Sequence, residues 1–346
     1  MRVLVTGGCG FLGSHICEMY RKKGDEVVCI DNMTKYEFSR SPYNVELART
    51  HNWNFLKGIG VELHKEDIRN KESLFKVAKG CDFIAHTAAQ PAMTIALEDP
   101  ELDFSTNVMG TYNVLECARK YDIPMASCST IHVYGNRINQ HLKEAETRFE
   151  RTPPTIPETD PVLNGDITPL HASKRSAEIY VECFIDTYGL KAANFRLTGM
   201  YGPRQIGSED HGWVANFAIK TVMQTPIKVY GTDKQVRDIL YATDAAEAFD
   251  AFYKAQKPGT YNIGGGMKNT ISLKEALDLM HNITRKKQDI SFGPARKGDL
   301  WYFVCDIAKA KSALNWEPKV SNEEGIRRLV EWIEHNTEMF RGKKQS

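Results

Sequence analysis

The stretch RVLVTGGCGFLG, residues 2–13, decides the fold. RVLVT is a short β-branched run, the glycines interrupt it, and SHICEMYRKKG (14–24) then takes up helical spacing until Gly24. The order is strand, tight turn, helix. The next run, EVVCID (26–31), reads as a second strand ending on Asp31, 24 residues after Gly7, which completes a βαβ unit. The spacing Gly7-x-x-Gly10-x-x-Gly13 lets the backbone turn sharply and approach a pyrophosphate, whose charge is met by the N–H groups opening the helix at Phe11 and Leu12. Asp31, with Asn32 beside it, stands where a ribose would lie. A carboxylate there accepts from the ribose hydroxyls and repels a 2′-phosphate, so NAD is expected rather than NADP.

Working outward, further strands fit DFIAHTAA (82–89), PMASCST (124–130) and KAANFRLT (191–198), and helical patterns lie between them, NVMGTYNVLECARKY and SKRSAEIYVECFIDTYG. Alternating apolar strands and helices imply an α/β fold, a doubly wound parallel sheet of Rossmann type covered on both faces. Residues 136–166 break the pattern. They are polar and proline-rich, too long for an ordinary connection, and read as a functional surface insertion rather than core. Beyond 265 the alternation weakens and two helix starts pair a serine with a glutamate three residues on, Ser272 with Glu275 and Ser321 with Glu324. The expected division is a Rossmann domain of 1–198 plus 236–265 and a smaller lobe of 199–235 plus 266–340. A ligand would lie in the cleft between them, beyond the carboxyl ends of the strands.

Composition fits a soluble protein with no electrostatic footprint for nucleic acid or an acidic membrane: 26% of the 346 residues are charged and the formal net charge is +1. The eight cysteines form no C-x-x-C pair and mostly sit in apolar runs, which reads as reduced core thiols rather than disulfides or a zinc site. With no apolar leader, and no run approaching the roughly 18 apolar residues of a membrane span, a cytoplasmic location is expected.

These residues resemble the extended short-chain dehydrogenase/reductases, which include nucleotide-sugar epimerases and dehydratases. The resemblance covers nearly the whole chain. Gly7, Gly10 and Gly13 match the family's glycine motif, Asp67, Ile68 and Arg69 its adenine-side element, and HTAAQPA (86–92) its segment under the nicotinamide ribose, which implies cofactor contacts at Ala88, Ala89 and Gln90. Asn107 matches its characteristic asparagine. In STIHVYG (129–135) Thr130 matches the catalytic serine or threonine, and Lys174 matches the lysine that serves both cofactor and chemistry. Arg237 with Asp238, and Arg296 with Asp299, match positions that hold a nucleotide diphosphate in relatives. Planar guanidinium groups suit phosphate oxygens. Within the family, Tyr201, Arg204 and Gln205 followed by Gly212, Trp213 and Val214 look most like the CDP-tyvelose (CDP-paratose) 2-epimerase branch, which implies substrate contacts at Arg204, Gln205 and Trp213. Gln90 and Thr94 are expected to touch the sugar. Helices over 105–120 and 174–188 could pair in a homodimer, as relatives do.

One position departs from the family. Its chemistry uses a Tyr-x-x-x-Lys pair, the lysine lowering the phenol's pKa so that the phenolate takes a hydroxyl proton as hydride leaves the same carbon. Here TPLHASK (168–174) carries Leu170 in that place. Three explanations stand open. Another group replaces the phenol, with His132, two positions after Thr130, the first candidate and His171 a weaker one because a neighbouring helix position points about 100° away. Alternatively the chemistry differs, as in a dehydratase or a C4 oxidoreductase, and Thr130 and Lys174 polarise the oxygen. Or the protein binds NAD and a nucleotide sugar silently, or Leu170 is an engineered substitution. Cys128 reads as a strand residue, not a nucleophile.

Overall fold

The computed structural model describes residues 1–34 and 43–342. Seven parallel strands form the central sheet in the spatial order Gly259–Ile263, Ala192–Leu197, Met125–Thr130, Phe83–His86, Arg2–Thr6, Glu26–Ile30, Glu62–His64. Strands Arg2–Thr6 and Phe83–His86 lie side by side, with Thr6 level with His86 and, on the other flank, with Ile30. The winding reverses at this pair, so a crevice opens beyond their carboxyl ends. Both faces of the strands are apolar because both are covered. One face packs Val3, Val5, Phe195 and Ile263 with Ile16, Phe249 and Leu314, and the other packs Leu4, Ile84 and Met125 with Val114, Val181 and Phe184.

The expected strands are all present; Arg2–Thr6 has its full length, and the others are shorter by one to four residues than their apolar runs. Two helices differ from expectation. The first is wound as a π-helix over Ser105–Gly110 before it continues as an α-helix over Thr111–Tyr121, and the hydroxyl of Thr111 donates to the carbonyl of Asn107 at 2.6 Å. The second begins earlier than its apolar spacing, at Pro169, and runs to Tyr188. Proline in the first turn has no N–H to lose there. Thr168 is the N-cap, and the capping box is completed by His171 in the place usually held by Glu or Gln.

The smaller lobe is built around a second sheet in which Val236–Tyr241 pairs with Gly199–Tyr201, Thr270–Ser272 and Tyr302–Phe303. Helices Trp213–Met223, Leu273–Thr284 and Asn322–His335 pack there through Val214, Phe217, Leu277, Ile326 and Leu329. Both expected serine caps are in place. Ser272 forms the full reciprocal box with Glu275, whereas Ser321 accepts from Glu324 without a return bond. The segment 236–265 is shared between lobes: its first strand joins this second sheet, though Leu240 on it packs in the larger core together with helix Ala242–Ala255 and strand Gly259–Ile263. In turn Ala310, Leu314 and Trp316, expected in the smaller lobe, pack in the core of the larger.

The 136–166 insertion is more deeply rooted than its polarity suggests. Ile156 is fully buried, its N–H donates to the carbonyl of Val304 and its carbonyl accepts from Asp306. Phe149 is buried as well and stacks on Trp301, and Ile138 and Val162 pack with Ile156 around Phe303, so a few apolar residues in a polar run stitch it to the body. None of the eight cysteines is in a disulfide, and Cys183 alone is exposed. Among the described residues no helix is long and apolar enough to cross a membrane, and no group of His, Cys, Asp and Glu is arranged to hold a metal.

Candidate active site

The crevice opens into a cavity of about 520 Å³ that runs from the glycine turn to Arg296. That size lies within the range of small-molecule and cofactor sites. At one end Gly7 donates to the carbonyl of Ile30 at 2.7 Å and Gly10 to that of Gly7 at 2.9 Å, with Gly7 at φ +70°. There is no room for side chains. A Cβ on Gly7 would lie 2.6 Å from the nitrogen of Ala88, and one on Gly13 would lie 2.3 Å from the carbonyl oxygen of Gly7. Helix Phe11–Lys22 starts here with Gly10 as an N-cap that offers no side chain, so a bound anion can take the opening N–H groups.

The Asp31 carboxylate closes this end, accepting from the N–H of Cys9 at 2.9 Å and of Met33 at 2.8 Å. Beside it Asp67 accepts from the Asn32 amide at 2.9 Å and from Arg69 through both oxygens. Burial pushes Asp67 up, but the bonds from Arg69 and Asn32 outweigh it and hold the carboxyl down at about 2. Ile68 and Ala88 line the wall, and Ala89 follows them. The room above close-packed glycines, with a carboxylate at ribose distance along the chain, fits the adenosine and pyrophosphate of NAD.

The other sequence-marked residues divide by how much of their hydrogen bonding is already taken. Asn107 is buried in the π-helix and bonds the main chain of Gln90 in both directions, and also Asp103 and Ser173. The Gln90 side chain is turned into the wall, donating to Asp103 at 3.1 Å and to the carbonyl of Ala92 and accepting from the Ala92 N–H. It was expected to reach cofactor and sugar; a buried amide must instead be paired, and the bend after the strand supplies the partners. Arg204, marked as a substrate contact, lines the cavity but spends most of its donors elsewhere. Its Nε and Nη2 donors go to Ser14, His15 and Glu18, with Glu18 at 2.6 Å, and the guanidinium lies over the ring of Phe55 at 4.3 Å. It ties the smaller lobe to the glycine helix. Thr94 does not line the cavity itself; its hydroxyl donates at 2.8 Å to Asp210, which does.

Trp213 and Gln205 border the cavity with polar atoms to spare: the indole Nε1 and Gln205 Oε1, and likewise Oδ1 of Asn216, are buried with no hydrogen-bond partner among the described residues. Arg237 is buried, donating to the carbonyls of Val236 and Leu300 and facing Asp299 at 3.4 Å. Burial pushes its guanidinium down against the pull of Asp299 and Asp238. Arg296 stacks on the ring of Tyr230 at 3.9 Å and donates to the carbonyl of Glu209. Lys228 and Lys297 line the same end, so cationic groups gather there despite the chain's small net charge.

Between the two ends lies the reacting region. Thr130 closes strand Met125–Thr130, and its hydroxyl oxygen accepts from the N–H of His132. Lys174 comes up one helical turn after Leu170 and donates to the carbonyl of Cys128 at 3.3 Å. Burial pushes the ammonium down, opposed by Cys128, Asp103 and Glu178. The Cys128 thiol is pushed up to about 12 by burial, as suits a strand residue rather than a nucleophile. Leu170 is buried and borders the cavity where a phenol would reach in. His132 also borders it, and burial with the nearby Arg237, His171 and His211 pushes its imidazole down to about 3.

Sequence reading missed Asp103. It sits four residues before Asn107, hence on the same helical face, and that spacing beside a marked asparagine was the available signal. It also missed Asn216 and the two lysines, which come from separate segments and carry no shared spacing.

A model of the NAD dependent epimerase/dehydratase family matches residues 3–264. The chain is 32% identical to the CDP-paratose 2-epimerase of Salmonella typhi, over 96% of this chain and 99% of that protein. Among solved structures it is similar to a UDP-glucose 4-epimerase from Thermotoga maritima with UDP-glucose, TM-score 0.80 at 29% identity, covering 97% of this chain and 100% of that one. A UDP-glucose 4-epimerase from Thermus thermophilus in complex with NAD gives TM-score 0.78 at 32% identity, covering 96% and 99%.

Proposed function

Since the chain belongs to the NAD-dependent epimerase/dehydratase family, we propose that it is an epimerase of a nucleotide-diphosphate sugar, CDP-linked by preference, that inverts a ring carbon by transient oxidation. One observation carries this reading. A single cavity joins the glycine turn and Asp31, the pair Thr130 and Lys174, and the cationic end of Arg237 and Arg296. Bound NAD would take the hydrogen of the reacting carbon with its electron pair and return it to the opposite face.

The rest falls to this chain's own groups. Arg237 and Arg296 hold the diphosphate, with Asp299 orienting Arg237. Trp213 and Gln205 offer the sugar one donor and one acceptor, and Thr94 holds Asp210 at the cavity wall. Thr130 and Lys174 orient the reacting hydroxyl. Its proton goes to the cavity-facing nitrogen of His132: the O–H bond breaks, an N–H bond forms, and the C–O bond gains double-bond character as the carbon is oxidised. Reversal of the same transfer rebuilds the hydroxyl after inversion. A diphosphate bound at Arg237 would offset the positive field that disfavours the imidazolium. Exposed Met109, Ile179, Tyr180 and Tyr188 on the two outer helices supply an apolar face for a homodimer, and a cytoplasmic setting suits eight thiols outside any disulfide.

Incubation with CDP-paratose or CDP-tyvelose in D₂O, followed by NMR, tests this reading. The expected product is the epimer without deuterium at the inverted carbon. Deuterium there would move the assignment to proton abstraction beside a carbonyl, the chemistry of a dehydratase. The absence of conversion with any sugar nucleotide would leave a silent binding protein.

A further inference from the structure

Two histidines flank the place of the missing phenol, and their free nitrogens are the clue. The rings of His132 and His171 meet edge to face with centroids 6.0 Å apart. His132 belongs to the 3-10 turn Ile131–Tyr134 after Thr130, and His171 to the first turn of helix Pro169–Tyr188. Nδ1 of His132 and Nε2 of His171 are both buried, with no hydrogen-bond partner among the described residues. Leaving a buried polar group unpaired costs about 1–3 kcal/mol, and such pairs from two elements packed together point to one shared partner.

The tautomer of His171 follows from its cap. Its Nδ1 accepts the main-chain N–H of Thr168 at 3.0 Å, so the neutral ring carries its proton on Nε2. That N–H is a fixed donor, since the capping box holds the ring in place, and only 1% of His171 is exposed. Gly298 lies beside the ring, where a side chain would press on it: a Cβ there would be 3.3 Å from Cε1 of His171.

We propose that His132 and His171 share one buried oxygen, a water molecule or a substrate hydroxyl, which accepts from both rings, and that His171 is thereby the positioning residue that sets the ring and tautomer of His132. Donation from Nδ1 of His132 leaves the lone pair of its Nε2 on the cavity side, where a hydroxyl proton can be taken. The pairing stands on geometry alone; the use of Nε2 as a base rests on the epimerase reading. The groups facing the pair agree with two neutral rings. Arg237 and His211 lie near His132 and disfavour its cation, and burial lowers His171 against the weaker opposite pull of Asp166. Sequence reading set His171 aside because its helix position points away from the leucine; the two histidines meet because the strand end brings His132 over to it.

Long-range proton–nitrogen NMR of the full-length protein, recorded without substrate, separates protonated from unprotonated ring nitrogens and tests the pairing. The parent is expected to show His132 protonated on Nδ1 and His171 on Nε2. Two variants keep the cap, because Glu and Gln are its usual residues. His171→Gln retains an N–H donor and should leave the His132 signals in place. His171→Glu presents a carboxylate instead and should shift them, raise the pH at which His132 titrates, and lower kcat by roughly 10²-fold with little change in KM, as for a misplaced reacting group. His132 signals that are the same in the parent and both variants, or a parent His132 protonated on Nε2, would overturn the proposal. Failure of the parent to turn over any sugar nucleotide counts against the epimerase reading alone, because the spectra need no turnover.

Discussion

The two ends of the cleft are specified in different ways. At the glycine turn the ligand-facing groups are main-chain N–H donors, placed by φ angles and by the absence of Cβ atoms, so three glycines and an aspartate within 25 residues set the phosphate and ribose positions. At the reacting region the groups are side chains on strand Met125–Thr130, the turn after it and helix Pro169–Tyr188. A backbone site tolerates no substitution at its few key positions. A side-chain site can lose one member and draw on a neighbour.

The largest effect should therefore come from the backbone end. Gly13→Ala puts a methyl group 2.3 Å from the Gly7 carbonyl oxygen, a contact that must displace the turn itself. The expected result is a folded protein that retains no NAD through purification and shows no binding by calorimetry at concentrations that saturate the parent. Binding within a few-fold of the parent would mean that the turn is less tightly built than its geometry implies. Lys174→Met comes next. It removes the ammonium placed to orient the reacting hydroxyl, and a loss of roughly 10²–10⁴-fold in kcat is expected, the range for one acid–base group. A kcat unchanged in this variant would detach the lysine from the chemistry altogether.

What was legible in the sequence follows the same divide. The βαβ unit, the doubly wound sheet and the glycine site were readable because each depends on local spacing. The π-helical turn at Ser105–Gly110 was not, because its cause is a buried hydrogen-bond set among Gln90, Asp103 and Ser173 that no local period encodes. The start of the lysine helix was hidden by an unusual cap, with His171 in the place of Glu. Gln90 and Arg204 were assigned by residue type and motif. Their partners, Asp103 and Glu18, lie on other segments, and only the fold shows that the Gln90 amide donors and the Nε and Nη2 donors of Arg204 are already taken.

Leu170→Tyr sharpens the comparison directly. If His132 already moves the proton, a restored phenol has no task left, and kcat should stay within about threefold of the parent, since a buried Leu replaced by a larger ring costs packing. A gain of roughly 10²-fold would mean that the site still waits for its tyrosine. The histidine reading would then fail while the NAD site stood.

The smallest expected effect concerns protons and separates two histidines, His86 and His132, that are both held neutral in the free protein. His86 lies behind the glycine turn between two hydroxyls, Nδ1 at 2.7 Å from Thr6 and Nε2 at 3.0 Å from Thr111. Thr111 spends its own proton on the carbonyl of Asn107, so it accepts from Nε2, and Nδ1 is left to accept from Thr6. Burial and Lys174 push this ring down to about 3, so it folds neutral. The unfolded chain has an ordinary histidine near 6.5, so between about pH 6.5 and 3 it binds the extra proton and stability falls with decreasing pH, by about 1.4 kcal/mol per unit for each such ring. Asp238, pushed up to about 6 by burial, works the other way, folding protonated and favouring the native state as pH falls from 6 towards the ordinary carboxylate value. The difference between parent and His86→Gln cancels that contribution. Denaturant titrations from pH 7 to 5 should show the parent losing stability more steeply than the variant, by about 1.4 kcal/mol per unit below pH 6.5. Equal slopes would mean that His86 takes up a proton in place, and the hydroxyl cage would have to open to let it. His132 should give a similar slope difference in the free protein and a smaller one with a diphosphate ligand bound, because burial still lowers its pKa while an anion at Arg237 offsets the pull of that guanidinium.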